Sequence, residues 1–303
     1  MAPRTEGVDF SPFRSEAART RFLARYDRRA QRWPVPSESR TVETSLGQTY
    51  VRVSGPPDAP PLVLLHGIGS NSLTWDTNVA ALSGSFRVHA VDAVYDYGRS
   101  IPTAQARNRD DLVRWLDELF TGLGLEGGVH LVGLSYGGWL ASQYALRFPE
   151  RVRKLVLLAP VFTVLPLSAG WIFRAVLCVL PFRYFSRSFM FWLLEDLVRK
   201  GETGRATVEE WAEDSFVAMR SFKSRRTVNP TVLTDEELRS LAMPTLYLVG
   251  ENEKIYSASA ALQRLEQVSP RIQTGLIPGA GHDFTATQAE LVNDRVLAFL
   301  RQG

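Results

Sequence analysis

The 303-residue sequence predicts an α/β fold in which a mostly parallel, doubly wound sheet carries an inserted helical cap. Short apolar runs rich in β-branched residues alternate with longer segments of helical period, which is the order of repeated βαβ units. The alternation is interrupted once, at residues 161–241, where helical patterns and aromatic residues replace the strands. We therefore expect an α/β core at residues 1–160 and 242–303 and a helical cap at 161–241.

The chain is expected to open with a helix and an antiparallel hairpin. Residues of about 15–32 place Phe22, Leu23 and Tyr26 at helical spacing among many arginines, which predicts an amphipathic helix with a solvated basic face. Apolar and polar residues then alternate in two segments that meet at Gly47, RTVETS and GQTYVRVSG. This pattern is typical of two strands joined by a tight turn.

Six short apolar runs follow, and the first five are nearly unbroken, as in strands that a parallel sheet covers on both faces. They read PLVLLHG, FRVHAVDA, GVHLVGLS, KLVLLAP, PTLYLVG and IQTGLIP. Five segments of helical period supply the crossovers and the last helix. These are WDTNVAALSG, NRDDLVRWLDELFTGLG, YGGWLASQYALRFP, SASAALQRLEQVS and TQAELVNDRVLAFLRQ.

Composition limits the classes of function. Hydrophobic residues make up 45% of the chain and charged residues 22%, which is ordinary for a globular protein. Much of the net charge of +3 lies in the first helix, where we expect a solvated helix face and no nucleic-acid binding. The sequence has no metal-ligand cluster, phosphate-binding glycine loop or nucleotide motif, so we expect neither a metal nor a cofactor. The oligomeric state is left open.

Cysteine content and the apolar segments bear on localisation. Cys178 is the only cysteine, so an internal disulfide cannot form and a reducing compartment, the cytoplasm, is expected. The N-terminal residues lack the basic start and unbroken apolar stretch of a secretory leader. The most apolar segment, residues 161–182, is interrupted by a glycine, an arginine and two prolines, so we expect no stable membrane insertion.

The segment HLVGLSYGGWLASQYA carries the strongest functional signal. Ser135 follows an apolar run and precedes a helical pattern, with Gly133, Gly137 and Gly138 around it in the motif Gly-x-Ser-x-Gly. A sharp strand-to-helix turn brings backbone atoms too close for β-carbons, so glycine is required on both sides of the turn residue. Such a turn holds the serine oxygen above the sheet, and we predict Ser135 as a nucleophile.

A serine hydroxyl needs a base to accept its proton and an acid to orient that base. His282 lies in the loop after the last strand, in the chain order serine, acid, histidine, and is predicted as the base. Glu253, in the loop GENEK after PTLYLVG, is predicted as the acid. Glu251 is the competing candidate, although it follows the strand closely, and Asp283 is expected to point elsewhere on a tight loop.

Two backbone amides are predicted to stabilise an oxyanion. Tyr136 directly follows the nucleophile at the start of a helix, where its N–H is otherwise unpaired. Ile68, in the loop after an early strand, is predicted to supply the second N–H, and His66 is expected to support that loop.

Other polar residues are expected to have structural roles. His89 and His130 lie within apolar runs and are interpreted as satisfied core histidines. Asp92, at the end of another run, is expected to fix the loop DAVYDYGRS.

These motifs together resemble the α/β-hydrolase superfamily over nearly the whole chain outside the cap. Within it, the chain is similar to bacterial carboxylesterase-type serine hydrolases with an N-terminal helix and a helical cap. The segments that carry this similarity are RYDRRAQRWPVPSESRTVETSLGQTYVRVSG, VDAVYDYGRSIP, TDEELRSLAMPTLYLVGENEKIY and IPGAGH. The resemblance supports Glu253 as the acid, where most relatives carry aspartate, and it places Tyr95 where a glycine is usual, so that its ring would project into or narrow the pocket.

The expected function is hydrolysis of a carboxylic ester, lactone or thioester of a small apolar substrate through a Ser-His-Glu triad and an acyl-enzyme. The aromatic-rich cap predicts the apolar substrate, with Tyr95, Trp171, Phe173 and Trp192 as contacts. Because similar triads serve several reactions, a non-ester reaction such as C–C bond hydrolysis, cyclisation or lyase chemistry is the alternative. A ligand-binding protein without turnover is a third hypothesis.

Overall fold

Nine strands form one sheet in the computed structural model, which describes residues 11–223 and 228–302. In chain order the strands are β1 (Ser37–Thr44), β2 (Gly47–Ser54), β3 (Pro61–Leu65), β4 (Arg87–Val91), β5 (Ile101–Pro102), β6 (Val129–Leu134), β7 (Val152–Leu158), β8 (Thr245–Gly250) and β9 (Gln273–Ile277). Across the sheet they follow the order β1-β2-β4-β3-β6-β7-β8-β9, and β5 pairs with β2.

The strand pairing is parallel except at one end of the sheet. β1 pairs antiparallel with β2, and β2 antiparallel with β4, while β4, β3, β6, β7, β8 and β9 run parallel to one another. The predicted opening hairpin and the predicted mostly parallel sheet are therefore confirmed. Because parallel strands end at one edge, the loops after β3, β6, β8 and β9 emerge on the same side of the sheet.

Twelve α-helices lie in the described ranges. They are α1 (Glu16–Ala30), α2 (Val79–Ser83), α3 (Arg109–Gly122), α4 (Tyr136–Arg147), α5 (Ala169–Leu177), α6 (Arg183–Leu193), α7 (Glu195–Val198), α8 (Glu202–Ser221), α9 (Asp235–Ser240), α10 (Ala258–Val268), α11 (Phe284–Thr287) and α12 (Ala289–Arg301). Short 3₁₀ helices occupy Ser72–Trp75 and Pro149–Arg151.

Helices cover both faces of the sheet, which makes it doubly wound. One apolar cluster packs α3, α4 and α10 on one face, and its largest fully buried side chains include Trp115, Trp139 and Tyr144. The other cluster packs α1, α2 and α12 on the opposite face. Two of these helices begin at a capping side chain. Asn108 caps the N-terminus of α3, and Ser15 caps that of α1. The α/β fold predicted from the alternation is confirmed.

Two predicted helices are shorter than expected. The segment WDTNVAALSG contains only the end of a 3₁₀ helix and the five-residue α2, because the Asn78 side chain donates to the Thr285 carbonyl oxygen and to Asn293 Oδ1 instead of facing solvent. The last predicted helix, residues 287–302, is observed at Ala289–Arg301, because Gln288 before it has a φ of −128°. In the first of these segments, tertiary contacts outweigh the local period.

Five helices, α5 to α9, connect β7 to β8. These helices differ in how well they are packed. Helix α1 packs along α8, where Arg25 pairs with Asp214 at 2.6 Å, and Phe22 lies edge-to-face with Phe222. Helix α5, in contrast, buries none of its residues. The division into a core and a cap domain stays a prediction, and its residues 1–10, 224–227 and 303 lie outside the described ranges, as does most of the segment judged for a secretory leader. Among the described helices, none is both long and apolar enough to traverse a bilayer.

Candidate active site

Three predicted site residues lie in loops that leave the same edge of the sheet. Ser135 directly follows β6, Glu253 lies in the loop after β8, and His282 lies in the loop after β9. The last two loops are joined by backbone hydrogen bonds, because the N–H of residue 251 donates to the Ile277 carbonyl at 2.9 Å and that of Asn252 to the Ala280 carbonyl at 2.9 Å. The parallel register of β6, β7, β8 and β9 thus brings these loops together.

Ser135 has a strained backbone conformation. Its φ of 55° and ψ of −118° lie in a region that residues other than glycine rarely adopt. Hydrogen bonds hold it there: its N–H donates to the Leu158 carbonyl at 2.9 Å, and its carbonyl accepts from the N–H groups of Gly138, Trp139 and Val161. A serine fixed in this way between β6 and α4 has the geometry of a nucleophile elbow.

Two glycines allow α4 to start so close to the sheet. A β-carbon on Gly133 would lie 2.3 Å from the Gly137 carbonyl oxygen, and one on Gly137 would lie 2.3 Å from the Leu65 carbonyl oxygen. Both distances are far below van der Waals contact, and both obstacles are backbone atoms that cannot move aside. The spacing of the motif therefore follows from the close approach of α4 to β6 and β3.

His282 and Glu253 form a buried hydrogen-bonded pair. His282 Nδ1 lies 2.8 Å from Glu253 Oε2, with the imidazole 11% exposed and the carboxylate side chain 0% exposed. The other oxygen, Oε1, accepts from the N–H groups of Lys254 and Ile255, each at 2.9 Å. Since the carboxylate can only accept, Nδ1 carries the proton and leaves Nε2 of neutral His282 free to act as a base.

The electrostatics of this pair favour a protonated imidazole. Burial lowers the pKa of His282, but the charge of Glu253 and its hydrogen bond outweigh that effect, so the pKa lies above its ordinary value. A base that must accept a proton during a reaction is stabilised in its charged form by such a neighbour.

Two backbone N–H groups near Ser135 have no acceptor in the part of the chain that the structure describes. Within residues 11–223 and 228–302, the amides of Ile68 and Tyr136 donate no hydrogen bond. The loop that carries Ile68 runs beside the serine, because a β-carbon on Gly67 would lie 3.1 Å from Ser135 Cβ and 3.6 Å from its Oγ. Tyr136 is the first residue of α4, where the helix dipole adds partial positive charge. These amides could stabilise an anion beside Ser135.

Polar side chains hydrogen-bond backbone groups in and around the loop that carries Ile68. His66 Nε2 accepts from the Ala93 N–H at 3.1 Å, so its Nδ1 carries the proton and donates to the Gly67 carbonyl at 2.8 Å. Asp96 accepts from the Gly69 N–H at 2.8 Å. Asp92 accepts from the N–H groups of residues 72 and 99, each at 2.8 Å. The supporting roles predicted for His66 and Asp92 are confirmed by these bonds.

The competing carboxylates have other partners. Glu251 Oε2 accepts from the Gly279 N–H at 2.8 Å, and Asp283 Oδ2 accepts from the Leu197 N–H of α7 at 3.1 Å. Burial, the largest influence, raises the pKa of Asp283 to about 6. Neither carboxylate hydrogen-bonds His282 within the described part of the chain, and Asp283 points toward α7, as expected.

The four predicted substrate contacts differ in their surroundings. Tyr95 packs edge-to-face on Tyr136 at 5.3 Å between ring centroids, and burial raises its pKa well above the ordinary value, so its hydroxyl remains neutral. Trp171 and Trp192 both pack on Phe189, at 6.1 and 6.2 Å. The side chain of Phe173, in contrast, is 67% exposed.

Several contacts connect the loop after β8, which carries Glu253 and is called the acid loop below, to the helices between β7 and β8. The sequence analysis did not predict the residues that form them. Lys254 Nζ donates to the Trp192 carbonyl at 2.6 Å and pairs with Glu195 at 2.5 Å. Ser168 Oγ donates to the Lys254 carbonyl at 3.0 Å. The lysine follows Glu253 directly, but nothing local in the sequence indicates partners about sixty residues away.

Strain continues beyond Ser135. Ala159 and Phe162, just after β7, have φ values of 41° and 50°. The Val161 N–H between them donates to the Ser135 carbonyl at 3.2 Å, so this loop also fixes the turn. Positive φ at an alanine and a phenylalanine gives no signal in a sequence.

The chain is similar to known proteins over nearly its whole length. Residues 62–295 match the model described as the alpha/beta hydrolase family. Carboxylesterase YbfK of Bacillus subtilis (strain 168) is 35% identical over 302 residues, which cover 97% of this chain and 98% of that protein. The uncharacterized carboxylesterase nap of the same organism is 36% identical over 286 residues, 92% of each chain. The crystal structure of naproxen esterase (carboxylesterase NP) from Bacillus subtilis superposes with a TM-score of 0.86 at 34% identity, covering 95% of this chain and 99% of that one.

Proposed function

Since the chain belongs to the α/β-hydrolase family, we propose that it hydrolyses carboxylic esters, lactones or thioesters of apolar substrates through an acyl-enzyme on Ser135. The observation that carries the proposal is the 2.8 Å hydrogen bond between His282 and buried Glu253, at the sheet edge where β6 ends in strained Ser135. The relatives that align with nearly the whole chain are named carboxylesterases, and the chain is an enzyme of this fold.

In the first half of the proposed reaction, Ser135 Oγ attacks the carbonyl carbon of the ester while its proton passes to His282 Nε2. The carbonyl π electrons move to oxygen, and the resulting oxyanion accepts hydrogen bonds from the amides of Ile68 and Tyr136. Glu253 remains ionised and stabilises the imidazolium. When the tetrahedral intermediate collapses, the bond to the leaving oxygen breaks and His282 returns the proton to that oxygen, which leaves an acyl-serine.

In the second half, water attacks the acyl-serine. His282 accepts a proton from the water, the same two amides stabilise the second oxyanion, and the bond to Ser135 Oγ breaks. The serine regains its proton from the imidazolium, and the carboxylic acid leaves. The complete cycle uses the side chains and amides of this chain together with one water molecule, and it returns each group to its starting protonation state.

The inserted helices are proposed to cap the site and to contact the substrate. Lys254 joins the acid loop to α6 and α7, and the Leu197 N–H of α7 joins the residue after His282, so this segment is anchored beside the pair. We propose that Trp171 and Trp192 of these helices, together with Tyr95 of the core, offer apolar surface to an acyl or alcohol group. The exposed side chain of Phe173 does not support that role.

Labelling by a fluorophosphonate probe tests the nucleophile. We expect the wild-type chain to be labelled and to hydrolyse p-nitrophenyl butyrate, and Ser135→Ala to lose labelling together with a factor of about 10⁴ or more in kcat, with an unchanged circular dichroism spectrum. Ser142→Ala is the matched control, because Ser142 lies on the same helix but is buried and donates to the Trp139 carbonyl at 2.7 Å. It should retain labelling.

The outcomes separate the hypotheses. Equal labelling of Ser135→Ala would remove the nucleophile assignment. Labelling of the wild type without hydrolysis of any simple ester would favour a non-ester reaction on the same fold, and absence of both would favour ligand binding without turnover.

A further inference from the structure

Three oxygen atoms surround Gly281, the residue directly before His282. A β-carbon on this glycine would lie 3.0 Å from Asp196 Oδ2, 3.3 Å from the Asn252 carbonyl oxygen and 3.8 Å from Asp283 Oδ1. We call these three atoms the oxygen cradle. They come from α7, from the acid loop and from the loop after β9. The cradle therefore lies where the inserted helices meet the two loops that carry the acid and the base.

One oxygen of the cradle is buried without a partner. Asp283 is 5% exposed, and its Oδ2 accepts from the Leu197 N–H at 3.1 Å. Its Oδ1, which faces the cradle, accepts no hydrogen bond from any residue in the ranges 11–223 and 228–302. A buried carboxylate oxygen has lost its water shell and is costly to leave unpaired. The orphaned oxygen therefore points to a ligand that the described residues do not supply.

The cradle also carries excess negative charge. The Asp196 side chain is 11% exposed, and the guanidinium nearest to it, that of Arg199, lies 3.8 Å away on a side chain that is 66% exposed. Burial first, and the charge of Asp196 in addition, raise the pKa of Asp283. Two carboxylates thus face each other with one distant and largely solvated cation. A small cation between them would compensate this charge.

We propose that the oxygen cradle binds a divalent cation, specifically calcium, between Asp196, Asp283 and the Asn252 carbonyl. Calcium takes carboxylate and carbonyl oxygens at about 2.3–2.6 Å and tolerates irregular geometry, so the two aspartate side chains would turn toward the ion and water would complete its ligands. Magnesium requires a nearly ideal octahedron and suits this set less well. The absence of a β-carbon at Gly281 leaves the space between the oxygens open.

This proposal differs from the expectation of no metal drawn from the sequence. Among the residues that the structure describes, no group of three or more His, Cys, Asp and Glu side chains could hold a metal ion. The cradle is not such a group, because it has two carboxylates and its third ligand is a backbone carbonyl. Its members also come from distant parts of the chain, so no ligand spacing indicates them in the sequence.

A cation in the cradle would fasten α7 to the loop of the base. The Leu197 N–H already donates to Asp283 there, and the ion would add a second link through Asp196. The ion would be structural, because its ligands lie on the α7 side of the loop and take no part in the proposed reaction. The proposal goes beyond that reaction and does not require Ser135.

Isothermal titration of the full chain with calcium chloride, after treatment with EDTA and removal of the chelator, tests the proposal. We expect one calcium ion per chain and a thermal unfolding midpoint that rises by about 4 °C when calcium is 100-fold above its Kd. Asp196→Asn should weaken binding about 10-fold or more, since one anionic ligand is lost. Glu195→Gln is the matched control, because this neighbouring carboxylate pairs with Lys254 and Arg199. It and Ser135→Ala should bind like the wild type.

A second variant tests the position of the ion. Gly281→Ala places a β-carbon 3.0 Å from Asp196 Oδ2 and should also weaken calcium binding about 10-fold or more. Circular dichroism without calcium checks that each variant is folded. Asp196→Asn keeps the size of its side chain, so the proposal stays testable if the substituted glycine disturbs its loop.

Several results would overturn the proposal. Absence of both heat and a change in the unfolding midpoint in the wild type would mean that the cradle holds no calcium and that a proton on Asp283 compensates the charge. Equal binding by the wild type and Asp196→Asn would place any bound ion elsewhere. Equal losses in Asp196→Asn and Glu195→Gln would assign the ion to the exposed acidic turn of α7, and magnesium binding as tight as that of calcium would contradict the choice of ion.

Discussion

The centre of the sheet and the helices α5 and α6 are both rich in apolar residues but place them in opposite environments. Every residue of β6 and of β8 is buried, whereas α5 buries none. In these two strands, helices on both faces cover each apolar side chain, so stability and the position of Ser135 depend on that packing. In α5 and the turn after it, comparable side chains face outward. Apolar character thus predicts burial only where a second element of the chain is present to cover it.

The helices between β7 and β8 are bonded to the rest of the chain at different places. Helix α8 is held by α1 through the ion pair of Arg25 and Asp214, and α7 is held at the histidine loop by Asp283. Helix α6 is held near its end, where Lys254 donates to the Trp192 carbonyl, and α5 is held at its start, where Ser168 donates to the Lys254 carbonyl. The outward side chains of α5 have no cover within the described residues. We therefore expect substitutions to have smaller effects on stability and chemistry as they move outward from the sheet edge toward α5.

The largest effect is expected at the sheet edge, from Glu253→Gln. An amide at this position cannot stabilise the imidazolium and permits the wrong tautomer of His282, so kcat should fall about 10⁴-fold, measured with a p-nitrophenyl ester. Glu251→Gln is the matched control, because an amide oxygen can still accept from the Gly279 N–H. A larger loss in Glu251→Gln than in Glu253→Gln would transfer the role of the acid.

The pH dependence of the same variants checks the mechanism. Because the pKa of His282 lies above its ordinary value, kcat/KM of the wild type should decline as pH falls, with a midpoint above about 6.5. The midpoint should move downward in Glu253→Gln, since burial then acts without the opposing carboxylate. An unchanged midpoint would mean that another group titrates.

Much of the fold could be predicted from sequence because the sheet repeats one local signal. Each buried strand is a short apolar run, and the two antiparallel strands alternate, so their positions follow from period and composition. The two-residue β5 was missed, since Ile101 and Pro102 are too few to show a period. Helix α2 was overestimated because Asn78 is held by a contact with α12, which no local pattern reveals.

The candidate site was predictable where its chemistry requires a local motif. The glycines around Ser135 are required by the close approach of α4. The order of serine, acid and histidine leaves one histidine as the base, and the loop after β8 offers two glutamates as the acid. The hydrogen bonds from the site loops to α6 and α7 were not predictable. Lys254 and Asp283 are far in sequence from these helices and contact them only in the folded chain. The exposure of Phe173 was equally hidden, since an apolar helix has the same sequence pattern whether or not another element covers it.

A second prediction compares the two regions by stability. Leu131→Ala in β6 should reduce the free energy of unfolding by about 2–5 kcal/mol, because Leu131 is 0% exposed and its loss leaves a cavity. Phe173→Ala in α5 should change it by no more than about 0.5 kcal/mol. Urea unfolding followed by circular dichroism measures both. Similar losses would mean that the ring of Phe173 is packed within the molecule in solution.

A third prediction concerns two histidines of the sheet, His89 and His130. The expectation that both are satisfied is wrong, because neither ring nitrogen of His89 nor Nδ1 of His130 has a hydrogen-bond partner among the described residues. Burial lowers the pKa of His89 and of His130 to about 4, below their value in the unfolded chain. The unfolded state therefore binds more protons, and stability is lost as pH falls from about 6.5 toward about 4, by at most about 3 kcal/mol for each histidine.

The variant His89→Leu isolates one of these contributions. Near neutral pH its stability should lie within about 1.5 kcal/mol of the wild type, because leucine is of similar size and has no polar atoms to bury. Urea unfolding at several pH values should then show a shallower loss in acid. An equal loss would mean that His89 does not contribute and that His130 and the carboxylates account for the acid sensitivity.

The smallest effect is expected from the acyl chain of the substrate. If the inward side of α5 and α6 covers an apolar pocket, each methylene added to a p-nitrophenyl ester contributes about 0.8 kcal/mol, so kcat/KM should rise about three-fold or more per methylene until the pocket is full. The series from acetate to octanoate measures this slope.

Two residues of α5 then distinguish its two sides. Trp171→Ala removes the partly buried ring that packs on Phe189 and should flatten the slope. Phe173→Ala removes an exposed ring and should leave the slope unchanged. A flat or falling series in the wild type would reject the apolar pocket, because the aromatic residues would then serve only to pack the inserted helices. A slope that depends on Phe173 as strongly as on Trp171 would show that the exposed face turns inward when substrate binds, and the two sides of α5 would no longer have separate roles.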